Sequence, residues 1–219
     1  DAVLALDQLE GRRAGDRHVR DVARGIGLDN RIGSKFLHAG PGYGGSCFPK
    51  DTVALLKTAQ DHDVPQRIVE AVVAVNDNRK RAMGRKVIAA LGGSVRDKKV
   101  AILGLTFKPN TDDMRDAPSL SIIQTLLDAG AIVTATDPEG IEAATPLLPG
   151  ITIVDDAYTA AQGADVVVIV TEWDAYRALD LTRLASIVAT PILVDLRNIY
   201  RREEVERAGF THHGVGIAD

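Results

Sequence analysis

Near its middle the chain reads Val100-Ala101-Ile102-Leu103-Gly104-Leu105-Thr106-Phe107. This run is short, apolar and rich in branched side chains, which is typical of a strand buried on both faces of a sheet. Similar runs follow at 132–136, 151–154, 165–170 and 192–196. Helical stretches, including 119–129 and 157–162, lie between them. The alternation predicts βαβ units and a doubly wound parallel sheet of the α/β class.

The part of the chain before Gly92 has a helical pattern instead. A short helix is expected at 19–26, and Pro49 fits the first turn of another that runs to about Asp61, because proline needs no N–H partner there. A longer helix is predicted at 65–91, where the Gly92-Gly93 pair ends it. We therefore expect two domains: a helical one over 1–91 and a Rossmann-like sheet over 92–219.

The long helix also predicts an assembly. Ile68, Val72 and Val75 give it an apolar stripe at i, i+4 and i+7. A helix this long and apolar has more surface than a domain of this size can cover, and exposed apolar patches mark interfaces. We expect a homodimer with two-fold symmetry, built on the 65–91 helix.

Composition limits the kinds of partner. The chain has 219 residues and a net charge of −4, which gives no general attraction to nucleic acid or to an anionic membrane. No apolar run approaches the roughly 20 residues of a bilayer span, and the first residues do not read as a signal peptide. The single cysteine excludes an internal disulfide and suits the reducing cytoplasm. The histidines show no metal-ligand spacing, so no metal is expected, and we expect His212-His213 at the surface or flanking a strand.

A glycine-rich loop precedes that cysteine. Residues 40–46 read Gly-Pro-Gly-Tyr-Gly-Gly-Ser, and Cys47 follows. A helix N-terminus beside the thiol and the cation of Lys50 both favour the thiolate, the form that reacts. The glycines let the backbone approach a ligand closely, and Asp51 can act as a base or orient water. These residues indicate either a reactive cysteine or a structural one, and they name no reaction.

Two longer segments carry a family resemblance. The sixteen residues Phe36-Leu37-His38-Ala39-Gly40-Pro41-Gly42-Tyr43-Gly44-Gly45-Ser46-Cys47-Phe48-Pro49-Lys50-Asp51 resemble the catalytic segment of the UDP-glucose/GDP-mannose dehydrogenase family, and 27–33 resembles its lead-in. Residues 104–115 resemble the signature at the start of that family's C-terminal domain. The similarity extends from about Val19 to the end of the chain.

The resemblance implies a reaction and a cofactor. It implies NAD-dependent oxidation of UDP-glucose to UDP-glucuronate, through a thiohemiacetal and then a thioester on Cys47. Asp51 would activate or place the hydrolytic water, and Lys50 and Arg115 would contact NAD. Arg31 would reach the substrate of the neighbouring subunit in a homodimer. The other residues implied to bind the nucleotide sugar are Phe36, Leu37, His38, Ala39, Gly40, Gly44, Phe107, Lys108 and Arg197.

The chain departs from the family pattern in two places. The loop after the first predicted strand holds one glycine, Gly104, where a dinucleotide-binding turn needs several. We therefore expect the sheet to bind UDP, and the N-terminal NAD-binding domain to be missing from this sequence. Residues 1–18 lack the substrate-contacting lysine that the family carries on a long helix there. This chain alone is expected to be inactive.

Three alternatives stay open from the residues. GDP-mannose is an alternative substrate, although Pro41-Gly42-Tyr43 and Phe48 favour the UDP-glucose branch. A non-catalytic module for dimerisation and nucleotide-sugar binding is a second alternative. A thiol hydrolase with His38 as its base is the third, and no further hydrolase motif supports it.

Overall fold

The structure is a computed structural model that describes residues 19–217. The expectation for residues 1–18 lies outside the described residues. None of the helices in the range 19–217 is long and apolar enough to cross a membrane.

A parallel sheet forms the centre of the molecule. Its strands follow the order β3-β2-β1-β4-β5-β6, and every neighbouring pair is parallel. This is the order of a Rossmann-type sheet, which confirms the predicted α/β class. The strands are β1 Lys99–Leu103, β2 Ile132–Thr136, β3 Thr152–Ile153, β4 Val166–Ile169, β5 Ile192–Asp195 and β6 Thr211–Gly214.

Helices precede the sheet and cover both of its faces. Pro49 lies in the first turn of α2, as predicted, while α3 starts two residues after Pro65. The helices of the described chain are α1 Val19–Gly27, α2 Cys47–Asp61, α3 Arg67–Ala90, α4 Pro118–Asp128, α5 Ile141–Ala144, α6 Ala157–Ala161, α7 Asp174–Arg177, α8 Leu181–Ile187 and α9 Arg202–Arg207, with a 3-10 turn at Thr145–Leu147.

Alternate side chains of the strands enter two cores. On one face Ile102 and Val168 pack with Ile122 of α4 and Val87 of α3. On the other face Leu103 and its neighbours pack with residues of α6, α8 and α9. The C-terminal half of α3 is therefore part of the same core as the sheet, and this contact fixes the helical segment against the α/β unit.

The first strand ends at Leu103, as predicted, because Gly104 takes a φ of +102° and turns the chain. One expectation about the sheet is wrong. His212 and His213 lie inside β6, with His212 buried, and not on the surface or beside a strand. The sequence Thr-His-His-Gly lacks the apolar run by which the other strands are recognised.

The candidate active site around Cys47

Cys47 is the first residue of α2, and its side chain is exposed. Ser46 precedes the helix, and its Oγ lies 3.6 Å from the Cys47 Sγ. The N–H groups that open an α-helix carry positive partial charge, and Cys47 lies at that end of α2, as expected from the sequence.

The glycine loop is pressed against the segment that leaves β1. The Gly45 N–H donates to the Arg115 carbonyl at 2.7 Å. A Cβ at Gly44 would lie 2.4 Å from the Asp116 carbonyl oxygen, and one at Gly45 would lie 2.7 Å from the Phe107 ring. No side chain fits at either position. The two signature segments, 36–51 and 104–115, thus meet at the cysteine loop although they are distant in sequence.

Arg115 is a cation close to Cys47. Its guanidinium donates to both carboxylate oxygens of Asp113, at 2.9 and 2.8 Å. This pairing lowers the pKa of Asp113 and raises the pKa of Arg115, and negative charge on Cys47 adds to the rise for Arg115. The guanidinium is exposed, so it can meet an anionic group that approaches the sulfur from outside.

Lys50 and Asp51 lie on the same first turns of α2. The Lys50 Nζ is 3.3 Å from an Asp51 carboxylate oxygen, and both side chains are exposed. The pair therefore lies at the surface near Cys47, where a carboxylate can hold water and an ammonium can contact phosphate.

Arg197 joins the first half of the loop to the sheet. Its Nε donates to the Val170 carbonyl at 2.9 Å and lies 3.0 Å from Glu172. Its Nη2 donates to the Phe107 carbonyl at 3.1 Å, and a Cβ at Gly40 would lie 2.9 Å from its Nη1. The side chain is 15% exposed, and this burial lowers the pKa of Arg197. The guanidinium is thus held rigidly beside Gly40.

The turn that carries Arg197 is fixed by a buried carboxylate. Asp195, the last residue of β5, accepts N–H groups from Arg197 at 3.1 Å and from Tyr200 at 3.0 Å. Its burial raises the pKa of Asp195 in spite of these bonds.

A cavity of about 550 Å³ adjoins Arg197. Leu37, His38 and Ala39 line one wall, and residues of α1 line another. Four of the residues expected to bind a nucleotide sugar therefore share one cavity. Cys47 does not line it.

Three other predicted residues are exposed and do not line this cavity: Arg31, Phe36 and Lys108. Phe36 is 85% exposed, and the exposed Arg31 pairs with Asp29 at 2.6 Å. That pairing raises the pKa of Arg31 and lowers the pKa of Asp29. Lys108 is exposed, with its Nζ 5.4 Å from the centre of the Phe107 ring. Within one chain, Arg31 and Phe36 contact neither Cys47 nor Arg197 in the described part of the structure.

The sheet edge where a dinucleotide would bind is filled by protein. A Cβ at Gly104 would lie 2.5 Å from the Thr171 backbone N, so the β1 turn packs directly on the chain after β4. Asp137, at the end of β2, is buried and accepts the N–H groups of Leu105 at 2.7 Å and Thr106 at 3.1 Å. In a dinucleotide site these positions contact pyrophosphate and ribose. The residues here do not fit NAD at this edge.

Sequence reasoning missed several residues that hold the site together. Glu172, Asn76, Arg79 and Lys80 belong to no motif, and three of them lie on α3. A signal was present, since Asn76 and Lys80 continue at i+4 spacing the apolar stripe through Val72. Buried polar residues of a helix need partners, and here the partners are in the cysteine loop and at Asp116.

The chain is similar to known dehydrogenases. The model described as the UDP-glucose/GDP-mannose dehydrogenase family, UDP binding domain, matches residues 101–202, and that of the central domain matches residues 13–78. A UDP-glucose 6-dehydrogenase of Rhizobium meliloti (strain 1021) is 66% identical, over 92% of this chain and 46% of its own length. One of Rickettsia bellii (strain RML369-C) is 42% identical, over 90% of this chain and 46% of its own length. The chain thus spans about half the length of the curated relatives it matches.

Solved structures agree with these sequence matches. A UDP-glucose dehydrogenase from Pyrobaculum islandicum superposes with a TM-score of 0.81 at 31% identity, covering 99% of this chain and 48% of the other. A GDP-mannose dehydrogenase from Pseudomonas aeruginosa superposes with a TM-score of 0.67 at 23% identity, covering 90% of this chain and 45% of the other, which shows a shared fold.

Proposed function

This chain belongs to the UDP-glucose/GDP-mannose dehydrogenase family, and we propose that the protein containing it oxidises UDP-glucose to UDP-glucuronate in the cytoplasm. The observation that carries the proposal is the exposed Cys47 at the start of α2, held by a loop in which Gly44 and Gly45 have no room for a side chain. The 66% identity to a UDP-glucose 6-dehydrogenase favours UDP-glucose over GDP-mannose, whose dehydrogenase supports only the fold.

Cys47 acts as the nucleophile. Two NAD+ molecules, used in succession, supply the acceptors for the two hydrides that leave C6. The Cys47 sulfur adds to the aldehyde carbon, and the aldehyde oxygen takes up a proton to give a thiohemiacetal. Loss of a hydride and of the hydroxyl proton leaves a thioester, which water cleaves to the carboxylate and the free thiol. Covalent attachment divides a difficult oxidation into easier steps.

The surrounding charges have separate roles in this proposal. Asp51, exposed on the first turns of α2, orients the water that cleaves the thioester. Lys50 and Arg115 present exposed cations to the phosphates of the cofactor. Arg197 and Lys108 bind the diphosphate of the nucleotide sugar. The segment 36–40, together with Gly44 and Phe107, forms its cradle.

We also propose the domain division and the homodimer. The boundary near Gly92 separates the helical part, 1–91, from the sheet, 92–219, and the matched family models end and begin on either side of it. Ile68 of α3 is 81% exposed, and Val64, which precedes α3, and Leu55 of α2 are also exposed. An apolar surface of this kind supports a two-fold contact between α3 helices, which would also bring Arg31 to the partner's site. Sedimentation of a monomer at high micromolar concentration would contradict the dimer.

The reaction is tested on the full-length protein. With UDP-glucose and NAD+ it should form UDP-glucuronate and two NADH per sugar, whereas GDP-mannose should give a much lower kcat/KM. Cys47→Ala should abolish UDP-glucuronate formation, because no thioester can form, while the melting temperature stays near that of the wild type. A Cys47→Ala protein that still makes UDP-glucuronate at the wild-type rate excludes the mechanism.

A further inference from the structure

Three polar side chains of α3 face the cysteine loop and the adjacent residue Asp116. Asn76, Arg79 and Lys80 are spaced i, i+3 and i+4, so they share one side of the helix. Asn76 is only 3% exposed, and Lys80 is also buried. Buried polar groups are retained where hydrogen bonds satisfy them, so the partners of these side chains show what this side of the helix does.

Asn76 binds the backbone of a single loop residue with both ends of its amide. Its Oδ1 accepts the Tyr43 N–H at 2.8 Å, and its Nδ2 donates to the Tyr43 carbonyl at 3.2 Å. A Cβ at Gly42 would lie 2.8 Å from the same Oδ1, so the loop runs directly over this side chain. Two bonds to the backbone of one residue fix both the position and the orientation of the loop.

Arg79 and Lys80 also bind the backbone around the cysteine loop. The Arg79 Nε donates to the Gly40 carbonyl at 2.6 Å. The Lys80 Nζ donates to the Asp116 carbonyl at 3.0 Å, which is the oxygen that leaves no room for a Cβ at Gly44. Helix α3 therefore sets the loop at Gly40 and Tyr43, and it also sets the wall against which Gly44 packs.

We infer that Asn76 is a positioning residue for Cys47, and that Arg79 is a positioning residue for the nucleotide-sugar cradle at Gly40. The inference rests on the proposed function. Tyr43 precedes Cys47 by four residues, and the intervening glycines have no freedom between Phe107 and Asp116. A displacement of Tyr43 is therefore transmitted to the start of α2 and to the sulfur. Arg79 acts instead on the segment expected to bind substrate.

The two roles predict different kinetic effects in the full-length protein. Asn76→Ala should lower kcat at least about tenfold with KM changed less than about threefold, because a misplaced nucleophile costs rate more than binding. Arg79→Met should raise KM about tenfold with kcat changed less than about threefold, because the cradle is made in the ground state as well as the transition state. A purely structural role would change both parameters of both variants together.

A third measurement does not depend on turnover. Alkylation of Cys47 by iodoacetamide, followed by mass spectrometry of its peptide, should be at least about threefold slower in Asn76→Ala, because the thiol is no longer held at the helix N-terminus. The matched control is Asn78→Ala on the exposed side of α3, which loses only an exposed bond from Arg81. It should match the wild type in alkylation rate, kcat and KM.

The outcomes separate the inference from the function on which it rests. A wild-type protein that oxidises no UDP-glucose refutes the proposed function, and unchanged Cys47 alkylation in Asn76→Ala refutes the inference in that case also. If the wild type is active, an Asn76→Ala kcat equal to that of Asn78→Ala overturns the inference. If Asn76→Ala does not fold, Asn76→Asp decides, since it keeps the bond from the Tyr43 N–H and loses the other. Its kcat should fall at least about threefold, and a wild-type kcat overturns the inference.

Discussion

Gly45 combines two restrictions at one residue. Its φ is +86°, where residues with a Cβ are strained, and the Phe107 ring fills the space that a Cβ would take. Strain of this kind costs about 1–2 kcal/mol and leaves a fold intact, whereas a contact of 2.7 Å forces the loop to move. The strain therefore lowers the stability of the protein, whereas the steric contact changes the position of Cys47.

We expect Gly45→Ala to lower kcat/KM of the full-length protein at least about tenfold, because the loop shifts away from Phe107 and carries the nucleophile with it. The control is Gly209→Ala, at φ +96° with no atom within 4 Å of the added Cβ. That variant carries the strain without the contact, so it should lose stability and keep activity. Equal activities of the two variants, measured with UDP-glucose and NAD+, would contradict this account.

Some residues of the candidate site could be predicted from the sequence, and others could not. Cys47, its glycines and Arg115 stand in contiguous motifs, so their neighbourhood could be predicted. The partner of Asn76 could not be predicted, because it is the backbone of Tyr43, 33 positions away; the apolar stripe of α3 indicates only that Asn76 is buried. Glu172 is a similar case, since only the folded sheet brings it to Arg197.

At the level of elements, α3 and α4 pack closely at a glycine. A Cβ at Gly84 would lie 2.7 Å from the Thr125 Cβ, so the two helices leave no room for a methyl group at this point. Glycine inside a helix costs about 1 kcal/mol relative to alanine. It is tolerated here because the approach of α4 holds the helical segment against the sheet.

Gly84→Ala is therefore expected to destabilise the protein in spite of its better helix propensity. Overpacking at such a contact costs about 1–3 kcal/mol, which exceeds the gain of about 1 kcal/mol from propensity. Gly25→Ala in α1 is the matched control, since no atom lies within 4 Å of the added Cβ and propensity alone acts. Urea unfolding should show a lower free energy for the first variant and an unchanged or higher one for the second.

Helices and strands could be predicted from the sequence where the whole segment is buried in the same way. The strands β2, β4 and β5 lie in runs rich in Val and Ile, and their predicted bounds agree with the structure within a residue or two. The end of β1 could be predicted from Gly104, although the apolar residues Leu105 and Phe107 continue past that turn to pack in the core and beneath the loop. Edge strand β6 was missed because its sequence carries no such run.

For the whole molecule, the sheet has the Rossmann-type strand order without the space for a dinucleotide. Thr171 packs on Gly104, and Asp137 is occupied by the backbone of the turn after β1. The cavity beside Arg197 lies elsewhere, between α1 and the segment 37–39. The sheet edge is thus closed around Gly104 by internal contacts, while the cavity beside Arg197 offers a cation and an open volume to a phosphate-bearing ligand.

These two features predict the ligand selectivity of this 219-residue chain. In calorimetry, UDP-glucose should bind weakly but measurably, because Arg197 and Lys108 meet the diphosphate near the cavity. NAD+ should bind little or not at all, since the exposed contacts of Lys50 and Arg115 are worth only about 0–1 kcal/mol each. Lys108→Met should weaken UDP-glucose about three- to tenfold, equivalent to about 0.6–1.4 kcal/mol, and leave NAD+ unchanged. Because Asp137 and Thr171 would have to move before a dinucleotide could enter the sheet edge, NAD+ binding tighter than UDP-glucose would mean that this edge opens in solution.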